Sequence, residues 1–232
     1  ELARKSSYIV QRANSFYLYL MKRNIFLILT FFTTLSVRAQ QVIIEGTVMY
    51  SLSVLTTSKE PEIADVFDGA TLNVYMKGAQ VLSEFKSALL SQTIIYNGKK
   101  SDAVILKESG EQKFIINLTS DNWIHYNRKY DGVLYTFTEE TKTVAGYPCK
   151  KAIGKLKDGT EFTVYYAINI APYIKGYDYQ FKTLPGMALE YEVQNGSVKV
   201  RYTATKIILS PIPAFKFDVP QKGYRILDYK SN

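Results

Sequence analysis

Apolar and polar residues alternate along much of the chain, and that period-2 pattern predicts strands with one buried face. Val198, Val200, Tyr202 and Ala204 fall on one side, while Lys199, Arg201, Thr203 and Thr205 fall on the other. Met187, Leu189, Tyr191 and Val193 alternate in the same way with Ala188, Glu190, Glu192 and Gln194. Asn195-Gly196 joins the two segments, and Asn-Gly favours a two-residue type I′ hairpin turn. Phe162, Val164 and Tyr166 mark another one-sided strand, entered through Asp158-Gly159. Ile94 and Tyr96 lead into Asn97-Gly98, and Phe114, Ile116 and Leu118 follow a turn around Gly110. The same reading places strands over 42–54, 71–77, 79–86, 103–108, 122–128, 133–138 and 149–156.

Helix signals are few. Residues 61–67 fit a turn or two of helix, and 83–90 fits either strand or helix. Two segments read as neither. Residues 169–185 are rich in Pro, Gly and Tyr, and present Tyr173, Tyr177, Tyr179 and Phe181 in a loop. Residues 211–223 are extended by their prolines and are expected to run along the body. The expected fold class is all-β with minor α: a curved antiparallel sheet with one or two short helices. An apolar sheet face must be covered. With little helix to do so, the sheet curls into a barrel or half-barrel, or folds into a sandwich.

The first forty residues differ from the rest. Met21-Lys22-Arg23-Asn24 is a positive start, 25–35 is an apolar run, and Val37-Arg38-Ala39 precedes Gln40. That order predicts a signal peptide over 21–39, cleaved after Ala39. The run is too short to span about 30 Å of hydrocarbon. Residues 1–20 read as upstream sequence outside the true start, and 40–232 as a single β domain. The expected location is periplasmic or secreted, with no cysteine near the cleavage site to carry a lipid and no transmembrane segment in the mature chain.

Charge then loses most of its meaning. The 232 residues carry a net charge of +8, but residues 1–39 hold six of the 29 basic side chains and one of the 21 acidic ones. The remainder has a net charge of +3, too little to argue for nucleic acid.

Candidate chemistry is sparse. Cys149 stands alone, so no intramolecular disulfide forms. Lys150 and Lys151 beside it would favour a thiolate, but a buried structural cysteine is the commoner case. His125 is the single histidine, which is too few for a transition-metal site of the usual kind. Asp65/Asp68, Glu139/Glu140 and Glu190/Glu192 are carboxylate pairs. The last two glutamates share the polar face of a strand and read as solvated surface. There is no nucleophile elbow, phosphate loop or dinucleotide fingerprint. No catalytic residue, metal or cofactor is implied.

Several short motifs, in order, resemble the GLPGLI family and a related envelope domain of unknown function. They are Val74-Tyr75-Met76-Lys77-Gly78, Gln92-Thr93-Ile94-Ile95-Tyr96, Gly146-Tyr147-Pro148-Cys149-Lys150-Lys151-Ala152, Val164-Tyr165-Tyr166, Leu184-Pro185-Gly186 and Phe217-Asp218-Val219-Pro220. Thr183 stands in place of the first Gly of the name motif, and Met187-Ala188 in place of Leu-Ile. The resemblance implies a half-barrel similar to the lipoprotein carrier LolA, enclosing an apolar cavity. It carries over no catalytic residue. Pro185-Gly186 is expected to serve folding, with Gly186 free to take a left-handed conformation.

Binding is therefore the expected function, with catalysis the least favoured reading. One reading is an envelope carrier or sensor holding a lipid or other apolar ligand on the inner face. Its candidate lining is Phe162, Val164, Tyr166, Met187, Leu189, Tyr191, Val198, Val200 and Tyr202. On the same pattern this face is equally a filled core. The other reading is an interaction module that uses the aromatic loop (Tyr173, Tyr177, Tyr179, Phe181) or a strand edge on an outer-membrane or envelope protein.

Overall fold

The computed structural model describes residues 17–22, 40–55, 66–196 and 198–230. Residues 17–22 are helical. Apart from residues 21 and 22, the expected leader lies outside the described residues, as do 61–65 of the expected helix 61–67. Gln40–Asn232 forms one compact unit.

The strands are β1 (Gln41–Ile43), β2 (Glu45–Val54), β3 (Thr71–Lys77), β4 (Gln80–Lys86), β5 (Ser91–Asn97), β6 (Asp102–Ser109) and β7 (Gln112–Leu118). After a short helix follow β8 (Leu134–Val144), β9 (Tyr147–Lys155), β10 (Glu161–Ala167), β11 (Ile170–Pro172), β12 (Met187–Asn195), β13 (Val198–Ile208) and β14 (Arg225–Leu227). Among the described residues, twelve strands form one sheet in the order β14-β7-β6-β5-β4-β3-β2-β13-β12-β10-β9-β8. The sheet is open and curved, not closed into a barrel. Its neighbours are antiparallel except β14, which lies parallel to β7. β1 and β11 make a separate parallel pair. The alternation therefore gives the fold class correctly.

Residues 83–90 resolve as strand up to Lys86. The strand expected over 122–128 is instead the helix Ser120–Tyr126. Its β-prone Trp-Ile-His-Tyr run is overridden by a cap: the Thr119 hydroxyl accepts from the Asn122 backbone N–H at 3.3 Å, which satisfies a donor the helix leaves free. Trp123 and Tyr126 then stack at helical spacing, with ring centroids 5.6 Å apart.

The sheet has two faces, and each needs cover. On the outer face of β3–β7, Leu82, Ile95, Leu106 and Ile115 pack beneath Ile212 and Phe217. These two belong to the proline-rich segment, which crosses the body as expected and makes one 3-10 turn at Ala214–Phe217. Polar contacts fasten it. Lys77 Nζ donates to the Ile212 carbonyl at 2.7 Å, and the Ile212 N–H donates to Glu45 Oε1 at 2.7 Å. Tyr224 donates to Glu108. The inner face carries the main core, where Val48, Val164, Leu184 and Leu189 are fully buried.

Gly186 departs from expectation. Its φ is not positive, so a left-handed conformation does not explain it. A Cβ there would lie 2.0 Å from the Ala167 carbonyl oxygen. Backbone meets backbone at this point, and only glycine lets the segment before β12 sit against the end of β10. Gly186→Ala should cost about 2–4 kcal/mol by this overpacking, read as a lower urea midpoint with an unchanged slope.

Candidate ligand cavity

A cavity of about 480 Å³ opens on the inner face. Strand register builds its floor. Tyr50 pairs with Leu72, Leu72 with Phe85, and Phe85 with Gln92, which makes one row of side chains across β2 to β5. Val74, Ser83 and Ile94 make the next row. Tyr191 and Tyr202 pair across β12 and β13 and stack at 4.8 Å with planes 7° apart. Tyr50 and Phe181 meet Tyr191 edge-on at 5.8 and 4.6 Å. The lining is thus mainly aliphatic and aromatic.

The segment from Pro172 to Gly186 roofs the cavity, and specific bonds hold it down. β11 pairs with β1, and the Tyr173 N–H donates to the Ile43 carbonyl at 3.1 Å. Trp123 Nε1 donates to the Gly176 carbonyl at 2.9 Å. Tyr135 donates to the Gln180 carbonyl, and within the lid Lys175 Nζ donates to the Leu184 carbonyl at 2.7 Å. The aromatic stretch is therefore a packed lid. Tyr177 and Phe181 point into the cavity lining. Tyr179 packs with the Trp123 cluster, and Tyr173 is exposed.

Of the nine face residues expected to line a ligand site, Met187, Tyr191 and Tyr202 line this cavity. Phe162, Val164, Tyr166 and Leu189 lie instead in the filled core. The Phe162 ring covers Gly154, where a Cβ would meet it at 2.2 Å. Val198 and Val200 are fully buried against Leu52 and Ala70. The face is thus filled at one end and hollow at the other. A register shift between Tyr165 and Tyr166 pairs them with Glu190 and Ala188. Leu189 becomes the extra residue of a bulge; it stays in the core with Met187 and Tyr191, and Ala188, expected on the polar side, joins them.

The sequence reading missed the β2–β5 half of the lining, together with Tyr130 and Asp178. Alternation in 71–77 already put Leu72 and Val74 on one side. For Asp178 the available signal was a lone carboxylate between Tyr177 and Tyr179 in an aromatic loop. Asp178 lines the cavity, and its Oδ1 accepts from the Gln180 N–H at 3.0 Å. Desolvation raises its pKa from 3.8 to about 6. Burial, joined by the Asp178 charge, raises the phenols of Tyr130, Tyr177 and Tyr202, so they stay neutral at physiological pH.

The other chemistry-bearing residues lie elsewhere. Burial pushes the Cys149 thiol up to about 11, which makes it a poor nucleophile. His125 Nδ1 sits 2.8 Å from the Tyr229 hydroxyl. Glu190 is not solvated as expected; it is buried, beside Lys142. Glu192 bonds Arg201 at 2.8 Å.

No family model matches the chain, so the GLPGLI resemblance stays a likeness of short motifs. No curated protein matches it either. Among solved structures, PNGF-II is similar at a TM-score of 0.47 and 15% identity, over 81% of this chain and 31% of that one. The chain thus spans about a third of the length of PNGF-II. LprF from Mycobacterium bovis is similar at a TM-score of 0.34 and 11% identity, over 73% of this chain and 88% of that one.

Asp178 generates a pH dependence of stability. Its folded pKa lies above the unfolded value, so the folded state binds the proton more tightly. The destabilisation is absent below pH 3.8 and complete above about pH 6. Asp178→Asn should raise stability at pH 7 by about 1 kcal/mol, allowing for water that reaches the group through the cavity. Urea midpoints of the two proteins should differ at pH 7 and converge at pH 4. A variant that is less stable at pH 7 would show that the carboxylate is needed as a charged turn-former.

Proposed function

We propose that the protein is an exported binding protein that holds an apolar, lipid-like molecule in the inner-face cavity. The hollow itself carries this reading. Close packing is the rule in protein interiors, and a pocket of roughly 300–1,000 Å³ with mostly apolar walls is the usual form of a small-molecule site. Here the sequence fills one end of the face with Val, Leu and Phe, while the other end stays open beneath a pinned lid. The buried, raised thiol of Cys149 supports binding over catalysis. Among the described residues no helix is long and apolar enough to cross a membrane.

Export is part of the same reading and rests on the leader pattern over 21–39. Intact mass of protein recovered from the expressing cell should give a chain that begins at Gln40. A retained leader on a cytosolic protein would end this part of the proposal.

The interaction-module reading keeps one supporting feature. β8 is an edge strand, and Leu134 and Phe137 on it are 72% and 53% exposed, which suits strand pairing with a partner. The aromatic loop does not help it, because most of that loop is tied to the body.

The cavity reading is checked by native mass spectrometry and organic extraction of protein purified from envelope. A co-purifying or added amphiphile should be retained. Ser83 is half-buried in the cavity wall, and Ser83→Trp should fill the space and weaken that binding at least about tenfold. An unchanged circular-dichroism spectrum would show that the variant is folded. Failure of the wild-type protein to retain any amphiphile would reject the reading.

A further inference from the structure

We infer that the cavity selects an amphiphile whose head group is a cation, an ammonium that docks against Asp178 inside a ring of tyrosines. This rests on the reading of the cavity as a binding site and names the class of molecule it takes.

Asp178 is an odd residue for a purely apolar pocket. A carboxylate taken out of water needs a partner. The Asp178 carboxylate has backbone N–H groups of Gln180 and Phe181, and among the described residues no cation contributes to its titration. Lys175 also lines the cavity, but its ammonium is bound to the Leu184 carbonyl. Elsewhere this chain treats carboxylates differently. Glu45, Glu140, Glu190 and Glu192 each have a Lys or Arg partner. Among the described residues, Asp178 is the carboxylate that lines the hollow, and no ion pair of this kind reaches it.

The surroundings of Asp178 suit a positive guest. Tyr50, Tyr130, Tyr177, Tyr191 and Tyr202 all lie within electrostatic reach of its charge and all line the cavity. Aromatic faces attract cations, and recognition of quaternary ammonium groups uses such cages. Tyr130 already carries Lys129 Nζ 5.6 Å from its ring centroid; within the lining itself an anionic head would meet Asp178 with Lys175 to offset it. Away from this group the walls are Leu72, Val74, Phe85 and Ile94, which suit a hydrocarbon tail. A carboxylate kept at a raised pKa by its setting is typical of functional sites. A bound ammonium would supply the missing partner.

The test compares three probes with one chain length: decyltrimethylammonium, decanol and decyl sulfate, each below its critical micelle concentration. Affinities are measured by calorimetry on the full mature chain. The expected result is at least tenfold tighter binding of the ammonium probe than of decanol, with decyl sulfate weakest. Asp178→Asn should abolish the preference of the ammonium probe over decanol. Equal wild-type affinities for the ammonium and neutral probes would overturn the inference and leave the apolar cavity standing. Binding of none of the three would reject the cavity reading as well. If Asp178→Asn does not fold, the wild-type comparison decides alone. A folded Asp178→Asn that keeps the ammonium preference would also overturn the inference.

Discussion

The structure depends on covering two faces of one large sheet with almost no helix. A strand places alternate side chains on opposite faces, and here both faces are apolar over part of their area. The usual cover in such folds is a helical layer. This chain uses irregular segments instead: the lid from Pro172 to Gly186 inside and the proline-rich strap outside. Irregular backbone is costly to bury unless its polar groups are bonded. That is why the lid carries side-chain bonds from Trp123, Tyr135 and Lys175 to its carbonyls, and the strap is gripped by Lys77 and Glu45.

Those covers do not work equally well. The strap lies flat and seals a small core with Ile212 and Phe217. The lid spans a curved surface and touches it at both ends: Phe181 meets Phe162 and Tyr191, and Ile174, Tyr177 and Tyr179 pack with Tyr96 and Trp123. Between these contacts lies the cavity, floored by Leu72, Val74 and Phe85. The hollow is thus a geometric result of covering a concave surface with a short pinned segment. Gly186 sets where the lid rejoins the sheet, because its backbone lies against Ala167.

Strand positions were legible because burial of one face imposes a period of two, and that signal survives without any knowledge of partners. It failed where the period was locally broken. The bulge opposite Tyr165 and Tyr166 brought Ala188, expected on the polar side, into the core, and a capping hydroxyl at Thr119 turned a β-prone run into helix. The site was less legible than the fold. Alternation says which side of a strand is apolar, but not whether the space above it is filled. That depends on where the loop over it lands, which is set by contacts such as Trp123 with Gly176, 53 residues apart in sequence. Three of the nine expected lining residues reach the cavity for this reason, while Tyr50 and Phe85 reach it unannounced.

Charge placement separates the two faces once more. On the outer side of β8, β12 and β13, Lys142, Glu190, Glu192 and Arg201 neutralise one another within a few ångströms. Such a cluster settles its own electrostatics and asks for nothing further. The inner side holds Asp178 among neutral phenols. Burial there raises the cost of the charge, and the fold supplies only backbone dipoles to offset it. A chain able to build the first arrangement had the means to pair or remove the second. A lone carboxylate beside an empty, aromatic-lined space is more simply explained by a partner that arrives from outside than by a defect in packing.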